Sequence, residues 1–152
     1  MDIRSPTAAL LPVLAFAGAT KRNRPRLVVG DTVYARIAET SRDQEPELTC
    51  IDAQGRAATA LGQLECGYVL ETDTAHARKL LAYPPAPELV ALGESLAFEI
   101  SVGANGRILI NSQAPRVTAV VAQALRATAR LGKDEARIRV LEIVSSGDRM
   151  QA

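Results

Sequence analysis

A chain of 152 residues makes one large domain or two small ones. With 47% hydrophobic and 23% charged residues it can bury a core, and its net charge of +1 does not by itself point to nucleic acid. Aromatic residues are only 3%, with no Trp, which argues against a broad stacking surface for bases.

Charge is unevenly spread. Residues 1–30 have a balance of +4, mostly from Lys21, Arg22, Arg24 and Arg26, and residues 31–60 have a balance of −3. A basic end beside an acidic middle implies two surfaces for two kinds of partner. Cys50 and Cys66 form no C-x-x-C pair, and the single His, His76, has no Cys or His at ligand spacing. No metal site is expected, and both cysteines read as small core residues in a reducing compartment.

At the N-terminus, Arg4 precedes an apolar run from Ala8 to Ala19 that ends in Ala15-Phe16-Ala17. This mimics a secretory signal, but Asp2 cancels Arg4 and Pro12 interrupts the run, so the segment is read as part of the folded chain. It is too short to span a membrane as a helix. Leu10 to Phe16 is expected to be a buried strand or extended segment. Lys21 to Arg26 follows, with Asn23 and Pro25 among four cations. Charges that close cannot all enter a core, so this is an exposed loop between strands, suited to meeting phosphate.

A strand-like run from Leu27 to Ile37 leads out of the loop. Gly30-Asp31 marks a turn, and Thr32 to Glu39 alternates, with Val33, Ala35 and Ile37 on one side. Ser41 to Pro46 is a polar loop, Leu48 to Asp52 a further strand, and Ala53-Gln54-Gly55 its closing turn. Ala57 to Gly67 reads as a last barrel strand running into a linker. Short strands joined by turns indicate an OB-type barrel, yet only three good strands precede Gly62 where five are needed. Either strands are hidden in Asp2 to Thr7, or the chain begins inside the barrel, which is then partial at its N-terminal end.

After Gly67 the period changes. Tyr68 to Glu71 is a strand. Thr72-Asp73-Thr74 can cap a helix over Ala75 to Ala82, with Ala77, Leu80 and Leu81 on its apolar side. Tyr83 to Pro87 breaks that helix, and Glu88 to Leu92 is a short helical piece stopped at Gly93. Leu96 to Val102 and Arg107 to Asn111 alternate, separated by Gly103, Ala104, Asn105 and Gly106. Asn-Gly between alternating runs predicts a hairpin, with Asn105 and Gly106 at positive φ. Ala114 to Leu131 is expected as the longest helix, with Val117, Val120, Val121, Ala124, Leu125 and Thr128 inward. Asp134 can cap a last helix to about Val144, followed by a loose tail.

The predicted fold class is α+β. Residues 1–62 form a partial OB-type (S1-like) barrel, and residues 63–152 a KH-like α/β domain of order β-α-α-β-β-α with an extra C-terminal helix. In RNA-clamping KH domains a Gly-x-x-Gly loop joins two helices. Here Gly103 to Gly106 joins two strands, so it is read as a structural turn, with Arg107 beside it as a further candidate contact.

Several stretches follow one another in a familiar order: Gly18-Ala-Thr-Lys-Arg-Asn-Arg-Pro25, Val29-Gly-Asp31, Glu45-Pro-Glu-Leu-Thr-Cys-Ile-Asp52 with Gly55-Arg56, Arg78-Lys-Leu-Leu81, and Gly103-Ala-Asn-Gly-Arg-Ile108. Over roughly Phe16 to Leu131 the chain resembles the S1/KH cap subunits of the eukaryotic RNA exosome, the ribosomal RNA-processing protein forty family. That resemblance implies a non-catalytic subunit that sits on a ring of RNase PH-like proteins beside other cap subunits. Such a subunit guides single-stranded RNA to 3′-to-5′ processing and degradation, ribosomal RNA included. It implies residence in the nucleus and nucleolus, and also in the cytoplasm, with no membrane or DNA partner. Members of the family carry an N-terminal domain and first barrel strands before this region, in keeping with the strand count.

The candidate RNA-binding residues are Lys21, Arg22, Asn23, Arg24, Arg26 and Arg107. No catalytic residue, metal or cofactor is expected. Asp31, Glu39, Asp43, Glu45, Glu47 and Asp52 form no recurring motif, and no P-loop or nucleophile elbow is present. Two alternatives remain: a free-standing small RNA-binding protein, and a pure scaffold whose basic loop docks on an acidic subunit. The loop from Arg42 to Glu47 is a second docking candidate.

Overall fold

Turn-forming residues cut the first part of the chain into short strands, whereas longer periodic runs dominate the second. The computed structural model describes residues 1–41, 43–52, 54, 56 and 60–149, with the side chains of the last helix described as far as residue 146. The chain divides into two compact units, Met1–Glu65 and Cys66–Ala152. Expectations for Arg42, for most of the turn at 53–55, for 57–59 and for 150–152 lie outside the described residues.

In the first unit, β1 (Thr32–Tyr34) pairs antiparallel with β4 (Gly62–Leu64), and β2 (Arg36–Glu39) pairs antiparallel with β3 (Glu47–Thr49). The alternating run therefore changes partner at Ala35, and the β2–β3 register shifts between Ile37 and Glu39. All four residues of β2 are exposed.

Leu10 does not begin a buried strand. It forms a parallel bridge to Glu47, its N–H donating to the Pro46 carbonyl at 2.9 Å, and the chain then enters a 3-10 turn at Val13–Ala15. Pro12 supplies no N–H and fixes its own φ, which ends the ladder after one pair. Leu10, Val13 and Leu14 are all exposed. The run from Leu27 likewise starts with a turn, and Val28 and Val29 face solvent. The buried apolar residues of this unit, among those described, are Ala9, Leu48 and Cys50.

The second unit runs β5 (Tyr68–Glu71), α1 (Thr74–Leu81), α2 (Pro87–Ser95), β6 (Glu99–Val102), β7 (Arg107–Asn111), α3 (Pro115–Thr128) and α4 (Lys133–Arg149). This is the β-α-α-β-β-α order with an added helix, in the predicted α+β class. The sheet is antiparallel in the order β5-β7-β6. Leu70 and Val102 both stand opposite Ile108, and Ile100 opposite Ile110, so the alternation of β7 turns Ile108 and Ile110 into the core.

Three helix ends and one helix face differ from expectation. Although Gly93 should stop α2, the helix runs on to Ser95, because Ala91 and Leu92 are buried and Ser95 donates to the Ala91 carbonyl at 3.2 Å. That packing outweighs the roughly 1 kcal/mol cost of glycine in a helix. Leu81, expected on the apolar side of α1, is exposed, and His76 takes an inward position with Ala77 and Leu80. α3 ends at Thr128, whose hydroxyl bonds back to the Ala124 carbonyl at 2.9 Å. α4 is the longest helix described, extending past Val144 to Arg149, with Ala136, Val140 and Ile143 forming one buried stripe. It packs against α2 and α3. The α1–α2 connection contains a cis Tyr83–Pro84 bond. Among the described residues, no helix is long and apolar enough to cross a membrane.

Candidate functional site

Two small turns shape the basic loop. The Ala19 N–H donates to the Phe16 carbonyl at 3.1 Å, and Gly18 takes the positive φ of +71° that this bend needs. Thr20 and Asn23 then bond reciprocally. The Thr20 N–H donates to the Asn23 carbonyl and the Asn23 N–H to the Thr20 hydroxyl, each at 2.9 Å. Asn23 is thereby a fastening of the loop as well as an exposed amide.

Closing the loop on backbone and hydroxyl groups leaves the cations outside. Lys21, Arg22, Arg24 and Arg26 are all exposed. The Arg24 Nε donates to the Lys21 carbonyl at 3.2 Å, which bends one guanidinium back along the loop. Among the described residues none of the four is in an ion pair. Asp31, the nearest carboxylate after them, is held elsewhere: its Oδ2 accepts from the Val28 N–H at 2.9 Å and from Gln63 Nε2 at 3.0 Å. The result is a compact cluster of positive charge in solvent, able to meet a polyanion without first breaking a protein salt bridge.

Arg107 is in the other unit. Its Nε lies 3.3 Å from Glu71 Oε1 across the β5–β7 pair, so its charge is already met by a carboxylate. The adjoining turn is built for shape. The Gly106 N–H donates to the Gly103 carbonyl at 3.0 Å, and the Arg107 N–H to Asn105 Oδ1 at 3.1 Å. A positive φ of +82° falls on Gly106, but Asn105 does not share it as expected. This is the class with a right-handed turn followed by one left-handed residue, rather than a two-residue turn. A Cβ on Gly103 would lie 2.5 Å from Asn105 Oδ1, so glycine is required there by the side chain that braces the turn.

The carboxylates weighed for metal-assisted hydrolysis do not converge. Among the described residues no group of three or more His, Cys, Asp or Glu is arranged to hold a metal ion. Asp52 instead accepts from the Gln54 and Arg56 N–H groups at 2.9 and 2.7 Å. Cys50 is buried, and burial pushes its thiol pKa up. Cys66 is exposed rather than in the core, in the bend before β5, where its φ is +59°.

One polar cluster escapes a sequence reading. Glu88 is fully buried on α2, and Lys79 Nζ lies 2.8 Å from its Oε1 while also donating to the Leu131 carbonyl at 3.2 Å. His76 Nε2 is 4.0 Å from the same carboxylate oxygen, and its Nδ1 is 2.9 Å from the Thr72 hydroxyl. Burial lowers the His76 pKa below its ordinary 6.5, and Lys79 adds to this, while Glu88 and Asp73 oppose it. The cluster is structural in character, tying β5, α1, α2 and the α3–α4 corner. A Glu just after Pro87 in a first helical turn reads as a solvated dipole partner, and nothing local marks it as buried.

Comparison with known proteins adds ancestry to this geometry. Residues 1–62 match the family described as the S1 domain of exosome complex component RRP40. The chain is 42% identical over 127 residues to exosome complex component rrp40 of Schizosaccharomyces pombe, covering 83% of this chain and 52% of that protein. It is 38% identical over 132 residues to the Drosophila melanogaster RRP40, covering 87% and 56%. The human RRP40 is 35% identical over 136 residues, covering 89% and 49%. The chain thus spans about half the length of the curated relatives it matches. In fold it is similar to a crystal structure described as that of an exosome complex RNA-binding protein, with a TM-score of 0.77 over 99% of this chain and 86% of that one, at 23% identity.

Proposed function

Because this chain belongs to the family of exosome complex component RRP40, we propose that it is a non-catalytic cap subunit of an RNA exosome. In this reading it sits with other cap subunits on the RNase PH-like ring and leads single-stranded RNA, ribosomal RNA included, toward 3′-to-5′ trimming. The observation that carries the reading is the run Lys21, Arg22, Arg24 and Arg26, four exposed cations outside any ion pair among the described residues. Lys21, Arg22, Arg24 and Arg26 meet phosphates, Asn23 holds the loop and offers its amide, and Arg107 adds a weaker contact because Glu71 already meets its charge. The second unit, with its Gly-x-Asn-Gly motif between strands and not between helices, serves as a KH-like docking module. The proposed setting is the nucleus and nucleolus, and also the cytoplasm.

The test is the affinity of the chain for a single-stranded oligonucleotide across a salt series. Four phosphate contacts give a log–log slope of about −3, and replacing all four cations by Ala flattens it and weakens binding with little sequence preference. An unchanged slope in that variant removes the loop from the RNA path.

A scaffold role has one observation in its favour. Val28 and Val29, 71% and 107% exposed, stand beside Arg26 and offer apolar surface of a kind that protein partners cover. Under that reading the four-alanine variant fails to co-purify with ring proteins and keeps its RNA affinity.

A further inference from the structure

A groove in the second unit takes no part in the reading above. It opens between the start of β5, the end of β7 and one face of α3, with a volume of about 630 Å³. Among the residues of α3 that line it, Ala119 and Ala122 are small and leave room between Thr118, Gln123 and Arg126. Tyr68 and Arg126 stand at one end. The Arg126 guanidinium carbon lies 5.8 Å from the centre of the Tyr68 ring, and the same group donates to the Tyr68 hydroxyl. Tyr68 is 42% exposed, in a chain with three Tyr and two Phe in all. Asn111 and Gln123 add primary amides to the walls, and no carboxylate is among the lining residues.

An aromatic face, a guanidinium, two amides and a positive balance are the chemistry of a nucleotide site. We propose that this groove holds one nucleotide of a single-stranded RNA, its base against Tyr68 and its phosphate at Arg126. The inference rests on the RNA reading above and extends it to a second contact, remote in sequence from the Gly103–Gly106 turn. An acidic peptide adding to the edge strand β5 is the competing occupant. The lining favours the base: primary amides donate and accept at once, as base edges require, whereas strand addition would use main-chain groups and leave Asn111 and Gln123 without a task.

The experiment uses the full chain with a short fluorescent oligouridine, and a 5-iodouridine version for photo-crosslinking mapped by mass spectrometry. Tyr68→Ala and Arg126→Ala each weaken binding about ten-fold, while Tyr68→Phe, which keeps the ring, stays within about two-fold. The crosslink falls on Tyr68. Both side chains are exposed, and unchanged melting curves show that the variants are folded. Wild-type affinity in both alanine variants, with no crosslink at Tyr68, overturns the inference. So does normal RNA binding with loss of co-purifying exosome proteins, which makes the groove a protein interface. If the four-cation variant loses RNA and the groove variants do not, the functional reading stands and this inference alone fails. If the wild-type chain binds no RNA, both fail.

Discussion

The two units differ in what they hide. The second closes a core from every element it contains: Leu70 from β5, Leu80 from α1, Leu92 from α2, Val102 from β6, Ile108 and Ile110 from β7, Leu125 from α3 and Val140 from α4. The first buries Ala9, Leu48 and Cys50 among its described residues, and leaves Leu10, Val13, Leu14, Val28, Val29 and Ile37 in solvent. It holds its shape more by short ladders and side chain to backbone bonds, such as those of Asp31 and Asp52, than by apolar burial. One unit encloses its apolar residues. The other leaves many of them on its surface.

Core truncation tests that contrast most strongly. Leu125→Ala should cost about 4 kcal/mol, because α3 is clamped between the sheet and α4 and cannot collapse into the gap. Leu48→Ala should cost about 2 kcal/mol and act on the first unit alone, since sparse packing relaxes more easily. Denaturant unfolding followed by helical circular dichroism reads the first, and hydrogen exchange of the β3 amides reads the second. Equal costs would mean that the first unit has a core comparable to its neighbour's.

The next effect concerns the buried pair. Lys79→Met leaves the Glu88 carboxylate in the core without its cation, a loss of about 3 kcal/mol. Adding Glu88→Leu should recover most of it, because two apolar residues need no partner. A neutral single variant would show that the polar cluster does not hold the second unit together.

The smallest effect is a pH dependence confined to the second unit, which carries the chain's single His. Burial lowers the folded pKa of His76, so the unfolded chain takes up the proton first. Stability is then full above the ordinary value of 6.5 and declines as the pH falls below it, by at most about 1.4 kcal/mol per pH unit. Glu88, Lys79 and Asp73 face the ring and set how far the shift goes. His76→Gln should flatten the slope between pH 7 and 5 in thermal melts; a slope unchanged by that substitution would assign it to other groups.

The second unit was the more legible in sequence because it has the larger buried core. Ile108 and Ile110 alternate because they enter a core, and periodicity is the trace that a core leaves on a chain. The hairpin at Gly103 to Gly106 announces itself through local turn chemistry. Where tertiary packing overruled local preference, reading failed: Gly93 lies inside α2 because Ala91 and Leu92, just before it, anchor the helix in the core, and α4 runs beyond Val144 to Arg149. Leu10 to Leu14 looked buried because apolar residues usually are, yet the first unit has little core to receive them. The basic loop was legible because exposure follows from charge density alone. The groove was not, since Tyr68, Asn111, Gln123 and Arg126 come from three elements and meet only in the fold.

The placement of α4 bears on the order of events during synthesis. α2 emerges from the ribosome some forty residues before the helix that packs on it, and Lys79 precedes the Leu131 carbonyl that it grips by 52 positions. Until residues 133–149 are out, Leu92 and the inner face of α2 lack the surface that covers them. Helix α4 is therefore the lid of the nascent second unit. A chain interrupted before α4 would present open hydrophobic surface to chaperones and proteases, so burial of that surface waits on the arrival of this helix.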